Sequence, residues 1–508
     1  MGDFQITPEN AAILSHVRAG GSARIMAGAG TGKTSLLTQI AAEIAEPSLY
    51  IAYGNAAAKD ARGRFPRHVE VRTFHSLAYE AVGRLAQDRL TSSAWQIRRA
   101  SLAGFERELQ AVSFNRLTAG NVVMETLNNY ITSADFDISA KHVPKDATRQ
   151  HGVDVDAAIR LARKVRHRWF DRTSDCPISH DVYGKIWQMS QPQLPHRILY
   201  FDEAQDAGGV MLAVSEAQQN ARTKIYVGDP NQSIFAFRNA VNALESLTGY
   251  PRFDLTQSWR FGPEIARFAN AILQLKGSDL RLLGAPHIES VIRQVSDPDV
   301  IITRTNVGAF KAALQCVSQN PIAKIEMIGG FSSVEKTVVD VVALYEGKAV
   351  SPQGELRFFS SWHDFKGAAE EPGGERFKPF LKLLEQYGPA DLKKEIEGLR
   401  SHIVIRRDDA TVRISTAHAF KGQEADIVQH GDDFWPFAQF DPETRRIVLD
   451  VQEANLAYVA ATRGRTVVDV SNYLPVLRET MEKVQIMRRT QDRTNGGRSV
   501  TSNVGSVR

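Results

Sequence analysis

Cysteine is nearly absent: Cys176 and Cys316 are the only two in 508 residues. They stand far apart and in no CxxC or Cys/His spacing, which excludes a disulfide framework and a zinc site. Long apolar runs are missing as well, and none approaches the roughly 18 residues of a membrane span. The opening MGDFQITPEN has neither a basic n-region nor an apolar stretch, so no secretory leader is expected, and Ile6 breaks the myristoylation pattern that Gly2 suggests. Charge of one sign is scarce. A net +4 from 62 basic and 58 acidic residues announces no polyanion partner by itself, so any basic surface has to be local. Together these absences point to a soluble protein of a reducing compartment, with the cytoplasm as the default and no membrane partner.

What remains is ordinary globular composition, 43% hydrophobic and 24% charged, in a chain long enough for about three or four units. From Ala23 the residues read strand (ARIMAG), glycine loop, helix (KTSLLTQIAAEIAE) and strand (SLYIAY), the alternation of a parallel α/β sheet. Residues 85–195 turn to helical patterns such as DVDAAIRLARKVRHRWF, and sheet patterns return at RILYFDEAQD and KIYVGD. The expected organisation is one α/β domain from 1–84 and 196–250 with a helical insertion between, and a second from 251–345 and 409–487. A small insertion at 346–408, rich in Pro and Gly at its start, interrupts the second domain. A basic, Ser/Gly/Asn-rich tail from 488 to 508 is expected to be disordered.

AGAGTGKT, spanning Ala27, Gly28, Ala29, Gly30, Thr31, Gly32, Lys33 and Thr34, fits the Walker A pattern with alanine in place of its first glycine. Glycines let backbone N–H groups and a helix N-terminus face phosphates, Lys33 reaches the terminal phosphate oxygens, and the Thr34 hydroxyl can ligate Mg²⁺. DEAQD closes an apolar strand, so Asp202 falls where Mg²⁺ needs a carboxylate and Glu203 falls beside it as general base. A glycine turn and a solvated acidic turn are the bland alternatives for each motif alone. The pair defines an NTPase, with Mg²⁺ as the metal its hydroxyl and carboxylate would hold.

With both motifs placed, TFHSLA, GDPNQSIFAFR, QSWRF, STAHAFKGQEADIV and YVAATRGR follow in the order of UvrD/Rep-like superfamily 1A DNA helicases, which the chain resembles over most of residues 4–473. YIAYGNAAAKDARGRFP followed by VEVRTFHSLAYEAVG looks closest to the F-box DNA helicase branch, without an F-box-like segment. The resemblance implies two RecA-like domains, each interrupted by an insertion. It also implies that Gln232 senses the γ-phosphate, that Arg260 and Arg463 reach it from the second domain, that Trp259 stacks on adenine, and that Gly422 and Glu424 lie near ribose and phosphate. Core packing is the alternative for Trp259. Asn10 stands where the family has an adenine-reading glutamine, and Ser35 follows the loop where several relatives carry arginine.

For nucleic acid the resemblance implies a track of Tyr53, Asn55, Thr73, Phe74, His75, Phe235 and Phe237 in the first domain and His418 in the second, with aromatic faces under bases. The helix RLARKVRHRWF offers Arg160, Arg163, Lys164, Arg166 and Arg168 either to phosphates or as a solvated charged face. The activity implied is 3′ to 5′ translocation on single-stranded DNA with unwinding at single/double-strand junctions. The alternatives are a DNA-stimulated ATPase that displaces nucleoprotein complexes within a repair or defence assembly, or a nucleotide-gated switch for a protein partner.

Overall fold

A computed structural model describes residues 6–144, 152–234, 243–351, 356, 359, 361–370, 377–441 and 446–494. The chain divides into two compact units, Met1–Trp259 and Arg260–Arg508.

The sheet of the first unit contains β1 (Ala23–Ala27), β2 (Ser48–Ala52), β3 (Val69–Thr73), β4 (Ile198–Phe201), β5 (Thr223–Gly228) and β6 (Arg252–Leu255), in the order β3-β2-β4-β5-β1-β6 with every pairing parallel. Its strands alternate between two apolar cores. Ile25, Tyr50, Ile198, Tyr200 and Ile225 enter one, and Met26, Ile51, Leu199, Phe201 and Tyr226 the other. Burial on both faces explains why these strands read as continuous apolar runs. β6 pairs with β1, so this sheet extends past the boundary expected at 250. A strand of alternating polarity (RFDL) at the sheet edge carries too little apolar signal to be assigned from sequence.

The helices between β3 and β4 build a third core around Leu109, Val123, Leu127, Ala158, Val165 and Trp169. The last of them, His180–Met189, turns Tyr183 and Trp187 into the core of the sheet and so ties the helical insertion to it.

The second unit has a seven-stranded parallel sheet, ordered β10-β9-β11-β8-β12-β15-β7. Its strands are β7 (Val291–Ile292), β8 (Val300–Thr303), β9 (Ile325–Met327), β10 (Ile403–Val404), β11 (Val412–Thr416), β12 (Ala425–His430) and β15 (Gly464–Asp469). β13 (Ala438–Asp441) and β14 (Arg446–Leu449) form a separate antiparallel ribbon. The α/β class with two parallel sheets agrees with the expectation. The 346–408 stretch differs from it: Phe365, Phe380, Leu383 and Ile396 share one core with Ile301, Ile325 and Ile414 of the sheet, and β10 pairs with β9. Its helices, Trp362–Glu370 and Lys378–Arg400, are amphipathic, and their apolar stripes join the core of the second unit, the longer one packing on the helices Asn306–Gln319 and Phe331–Tyr345. The final helix runs to Thr494, past the expected tail boundary at 488; residues 495–508 lie outside the described residues.

Candidate nucleotide and nucleic-acid sites

β1 ends at Ala27, and the next N–H, that of Gly28, still donates to Leu255 O of β6 at 3.0 Å before the glycine loop begins. Gly30 and Gly32 then take φ of 75° and 80°, the left-handed region that other residues enter only at a cost. The helix Lys33–Glu43 follows with no side-chain cap and no acidic residue in its first turn. By contrast, Pro8–Arg18 and Phe74–Ala81 both carry capping boxes. Uncapped N–H groups at a helix N-terminus, with the partial positive charge of the helix dipole, make a cradle for phosphate oxygens.

β4 lies beyond β5 from β1 and delivers the acidic residues. Lys33 Nζ stands 3.6 Å from Glu203 Oε1. Asp202 is 5% exposed; its Oδ1 accepts from Glu203 N (2.9 Å) and its Oδ2 accepts from Thr34 Oγ1 (3.2 Å) and Tyr50 Oη (2.5 Å). Burial, and then the charge of Glu203, push the Asp202 carboxyl above the usual carboxylate range. A cation beside it would reverse that pressure, and a hydroxyl with a carboxylate is a hard-oxygen donor set suited to Mg²⁺. Glu203 sits at φ 51°, ψ 40°, a left-handed conformation rare outside glycine and typical of strained functional positions.

One side chain missing from the expected set organises this corner. Gln205 is fully buried; its amide donates to Glu203 Oε2 (2.5 Å) and Asp206 Oδ2 (3.2 Å). Its Oε1 accepts from Asp229 N (3.0 Å), and its backbone O accepts from Ser233 Oγ (3.2 Å). Gln232 is held in turn by its amide donating to Asp229 Oδ2 at 2.7 Å. The two acidic and amide segments are thus one network with Gln205 at its hub. DEAQD contained the signal, since a buried glutamine must spend all its hydrogen-bonding groups. Tyr50 carried none, because an aromatic in an apolar strand reads as core.

Trp259 N donates to Gly30 O (2.8 Å), and a Cβ built on Gly32 would lie 3.8 Å from Trp259 Cδ1, so the indole borders the loop. Asn10 is 4% exposed, and its Oδ1 accepts from Thr7 within the first capping box, so its oxygen is spent on the helix start. Ser35 Oγ accepts from Arg64 at 3.1 Å.

In the second unit Arg260 Nε pairs with Glu424 Oε2 at 2.7 Å and Nη1 donates to Thr462 O at 3.2 Å. Arg463 is 1% exposed, with Nε donating to Val459 O (2.9 Å), Nη1 to Gln423 O (3.4 Å) and Nη2 to Thr462 Oγ1 (3.2 Å). Arg260, Glu424 and Arg463 therefore gather around Thr462 at the start of β15, and Gly422 nearby takes φ 87°. His418 is half-buried in the turn after β11.

A cavity of about 600 Å³ opens at the C-terminal ends of β2, β3 and β4, where Tyr53, His75 and Asp206 from the segments that follow these strands meet Met124, Asn128 and His180 from the helical insertion. His75 Nε2 is 3.1 Å from Asp181 Oδ1. Phe74 touches this cavity but is 4% exposed, packed 5.3 Å from the Trp187 ring, and Thr73 is spent capping the helix Phe74–Ala81 through Ser76 N. Both are thus engaged in packing and capping, whereas Tyr53 and His75 are half-buried and Asn55 is exposed. Phe235 and Phe237 lie outside the described residues. The basic helix, Val155–Phe170, is largely engaged. Arg163 and Arg166 both pair with Asp137, Lys164 pairs with Glu108, and Arg168 donates to the carbonyls of Ala100 and Ala103. Arg160 is exposed.

Residues 10–238 match a family model described as an AAA domain. The chain is 30% identical over 500 residues to F-box DNA helicase 1 of Gallus gallus, covering 92% of this chain and 49% of that protein. It is 28% identical over 493 residues to F-box DNA helicase protein 1 of Schizosaccharomyces pombe, covering 87% and 54% respectively. A weaker similarity, 24% over 278 residues, links 49% of the chain to 36% of ATP-dependent DNA helicase PcrA of Leuconostoc citreum. The chain thus spans about half the length of the F-box helicases it matches.

Proposed function

We propose that the chain is a helicase of superfamily 1 that hydrolyses ATP with Mg²⁺ and uses the turnover to move 3′ to 5′ along single-stranded DNA. The observation that carries this reading is one sheet bearing two sites: Lys33 within 3.6 Å of Glu203 at one, and the aromatic-lined cavity at the C-terminal ends of β2, β3 and β4 at the other. Ligands of open α/β sheets bind at that end of the strands.

In this reading Gly28–Thr34 cradle the phosphates and Lys33 neutralises the terminal oxygens. Thr34 and Asp202 would hold Mg²⁺, which supplies charge neutralisation at the phosphates when bound. Glu203, freed from Lys33 by the arriving phosphate, accepts the proton of the attacking water, and Gln205 keeps its carboxylate aimed. Gln232 is the γ-phosphate sensor, and Arg260 and Arg463 stabilise charge developing in the transition state, an effect worth ~10³–10⁵ in rate. Trp259 faces the base. Tyr53 and His75 contact the strand, the tyrosine by stacking.

A second reading, displacement of proteins from DNA with little unwinding, is favoured by the 346–408 stretch. Its described helices are committed to the core of the second unit and offer no separate module for gripping duplex. The test is steady-state ATPase with single-stranded DNA of several lengths, beside Lys33→Ala and Glu203→Gln. Unwinding of 3′- and 5′-tailed duplexes is then compared with displacement of a bound protein. Turnover indifferent to DNA would refute the motor, and preference for a 5′ tail would refute the polarity.

A further inference from the structure

Three groups among the described residues donate to Asp202: Glu203 N, Thr34 Oγ1 and the Tyr50 hydroxyl. Tyr50 lies on β2 in register with Tyr200, so Tyr50, Tyr200 and Asp202 share one face of the sheet. Its ring packs 4.6 Å from the Phe65 ring and is 2% exposed, while its hydroxyl reaches past the strand end to Asp202 Oδ2 at 2.5 Å. Oδ2 is the oxygen that Thr34 Oγ1 also approaches, at 3.2 Å, and Oδ1 is taken by Glu203 N at 2.9 Å.

The geometry points to Tyr50 as a positioning residue for Mg²⁺: its hydroxyl fixes the rotamer of Asp202 and so presets the carboxylate and Thr34 for the metal of the bound nucleotide. This deepens the nucleotide reading above and rests on it. A carboxylate has more than one lone pair per oxygen, so Oδ2 can keep the tyrosine proton while turning another lone pair to a cation. Without the hydroxyl, the carboxylate of the 5%-exposed aspartate is held only by Glu203 N on Oδ1 and by Thr34 Oγ1 at 3.2 Å on Oδ2, so more of its ordering must come from the metal itself. Partners that orient a ligand in this way typically govern metal affinity by about 10–100-fold. Ring packing is a separate matter, carried by Phe65 and the sheet, and Tyr50→Phe preserves it.

The test uses the full chain and two readouts. In Mg²⁺ titrations of ATPase at saturating ATP, Tyr50→Phe is expected to raise the Mg²⁺ concentration for half-maximal rate by about 10-fold or more, with a smaller change in the rate at saturating metal. In calorimetric titrations with ADP, the gain in affinity that Mg²⁺ confers should shrink by a similar factor, while ADP affinity in EDTA stays that of the wild type. Phe65→Leu, which disturbs the ring packing and leaves the hydroxyl, should move neither readout even where it lowers the melting temperature. Identical Mg²⁺ dependence of wild type and Tyr50→Phe in both assays would overturn the inference. So would equal shifts in Phe65→Leu, which would reduce Tyr50 to packing. A wild-type chain whose ADP affinity ignores Mg²⁺ would overturn the nucleotide reading itself.

Discussion

Gly228, the last residue of β5, gives the sharpest handle on the site. A methyl group there would lie 1.9 Å from Gln205 Oε1, 2.9 Å from Leu244 Cδ1 and 3.1 Å from Ala204 N. The glutamine oxygen must therefore move, and it is the acceptor for Asp229 N in a fully buried network. Overpacking costs about 1–3 kcal/mol and a buried N–H left without its acceptor about 1–3 kcal/mol more, so Gly228→Ala is expected to lose ~2–6 kcal/mol of stability. Displacing Gln205 also removes the bond to Glu203 Oε2. A hydrogen bond to a charged group is worth roughly 1.5–3 kcal/mol, which corresponds to a fall of about 10–150-fold in kcat if it acts in the transition state. Denaturant unfolding and ATPase assays read the two effects. A double-mutant cycle isolates the cause: in a Gln205→Ala background the clash partner is gone, so Gly228→Ala should add well under the sum of the single effects. Gly54→Ala, with open space around its Cβ, is the control. Additive effects, or a Gly228→Ala chain with wild-type stability and turnover, would refute the assignment of Gln205 as hub.

Tyr53→Ala should weaken single-stranded DNA binding by ~1–3 kcal/mol with unchanged melting temperature, whereas Phe74→Ala should cost about 3–5 kcal/mol of stability; anisotropy titrations and thermal melts separate them. Glu453 is 5% exposed and takes Arg304 through contacts of 2.6–3.0 Å, so Glu453→Ala should destabilise the second unit by roughly 3–5 kcal/mol in chemical denaturation. His430 is fully buried between the Phe434 and Tyr473 rings, and burial pulls its pKa down to about 4. The unfolded chain then binds more protons than the folded one between about pH 6.5 and 4, so stability falls as pH drops through that window, by up to about 3 kcal/mol. His430→Phe should flatten that part of a stability-versus-pH curve, and an unchanged curve would exclude the imidazole as its source.

The strand, loop and helix of the candidate nucleotide site were legible because its motifs demand these elements in fixed order, and local pattern reports that order well. Contacts within the nucleic-acid track were less so. Phe74 and His75 are adjacent at a helix start, where consecutive side chains diverge by about 100°, so both border the cavity but Phe74 is buried in the core while His75 is only half-buried; no motif tells which. The helices of 346–408 read as a separate module because Pro and Gly punctuate the stretch, but punctuation marks turns and not the surface on which a helix docks. Tyr50 carries no local signal for a related reason: the carboxylate its hydroxyl meets, Asp202, is placed beside it by the long-range fold.

The order of strands in the first sheet also bears on how the chain is made. β1 pairs only with β5 and β6 among the described strands, and the whole helical insertion is synthesised between them. At about 5–20 residues per second, Ala27 emerges some ten to forty seconds before Thr223, so the phosphate loop is born onto a strand without neighbours. The helical insertion, with its own core of nearby residues, can close during that interval, while the loop waits for β5. Nascent chains halted before residue 223 should therefore protect the insertion from protease and leave the segment around Lys33 open to it.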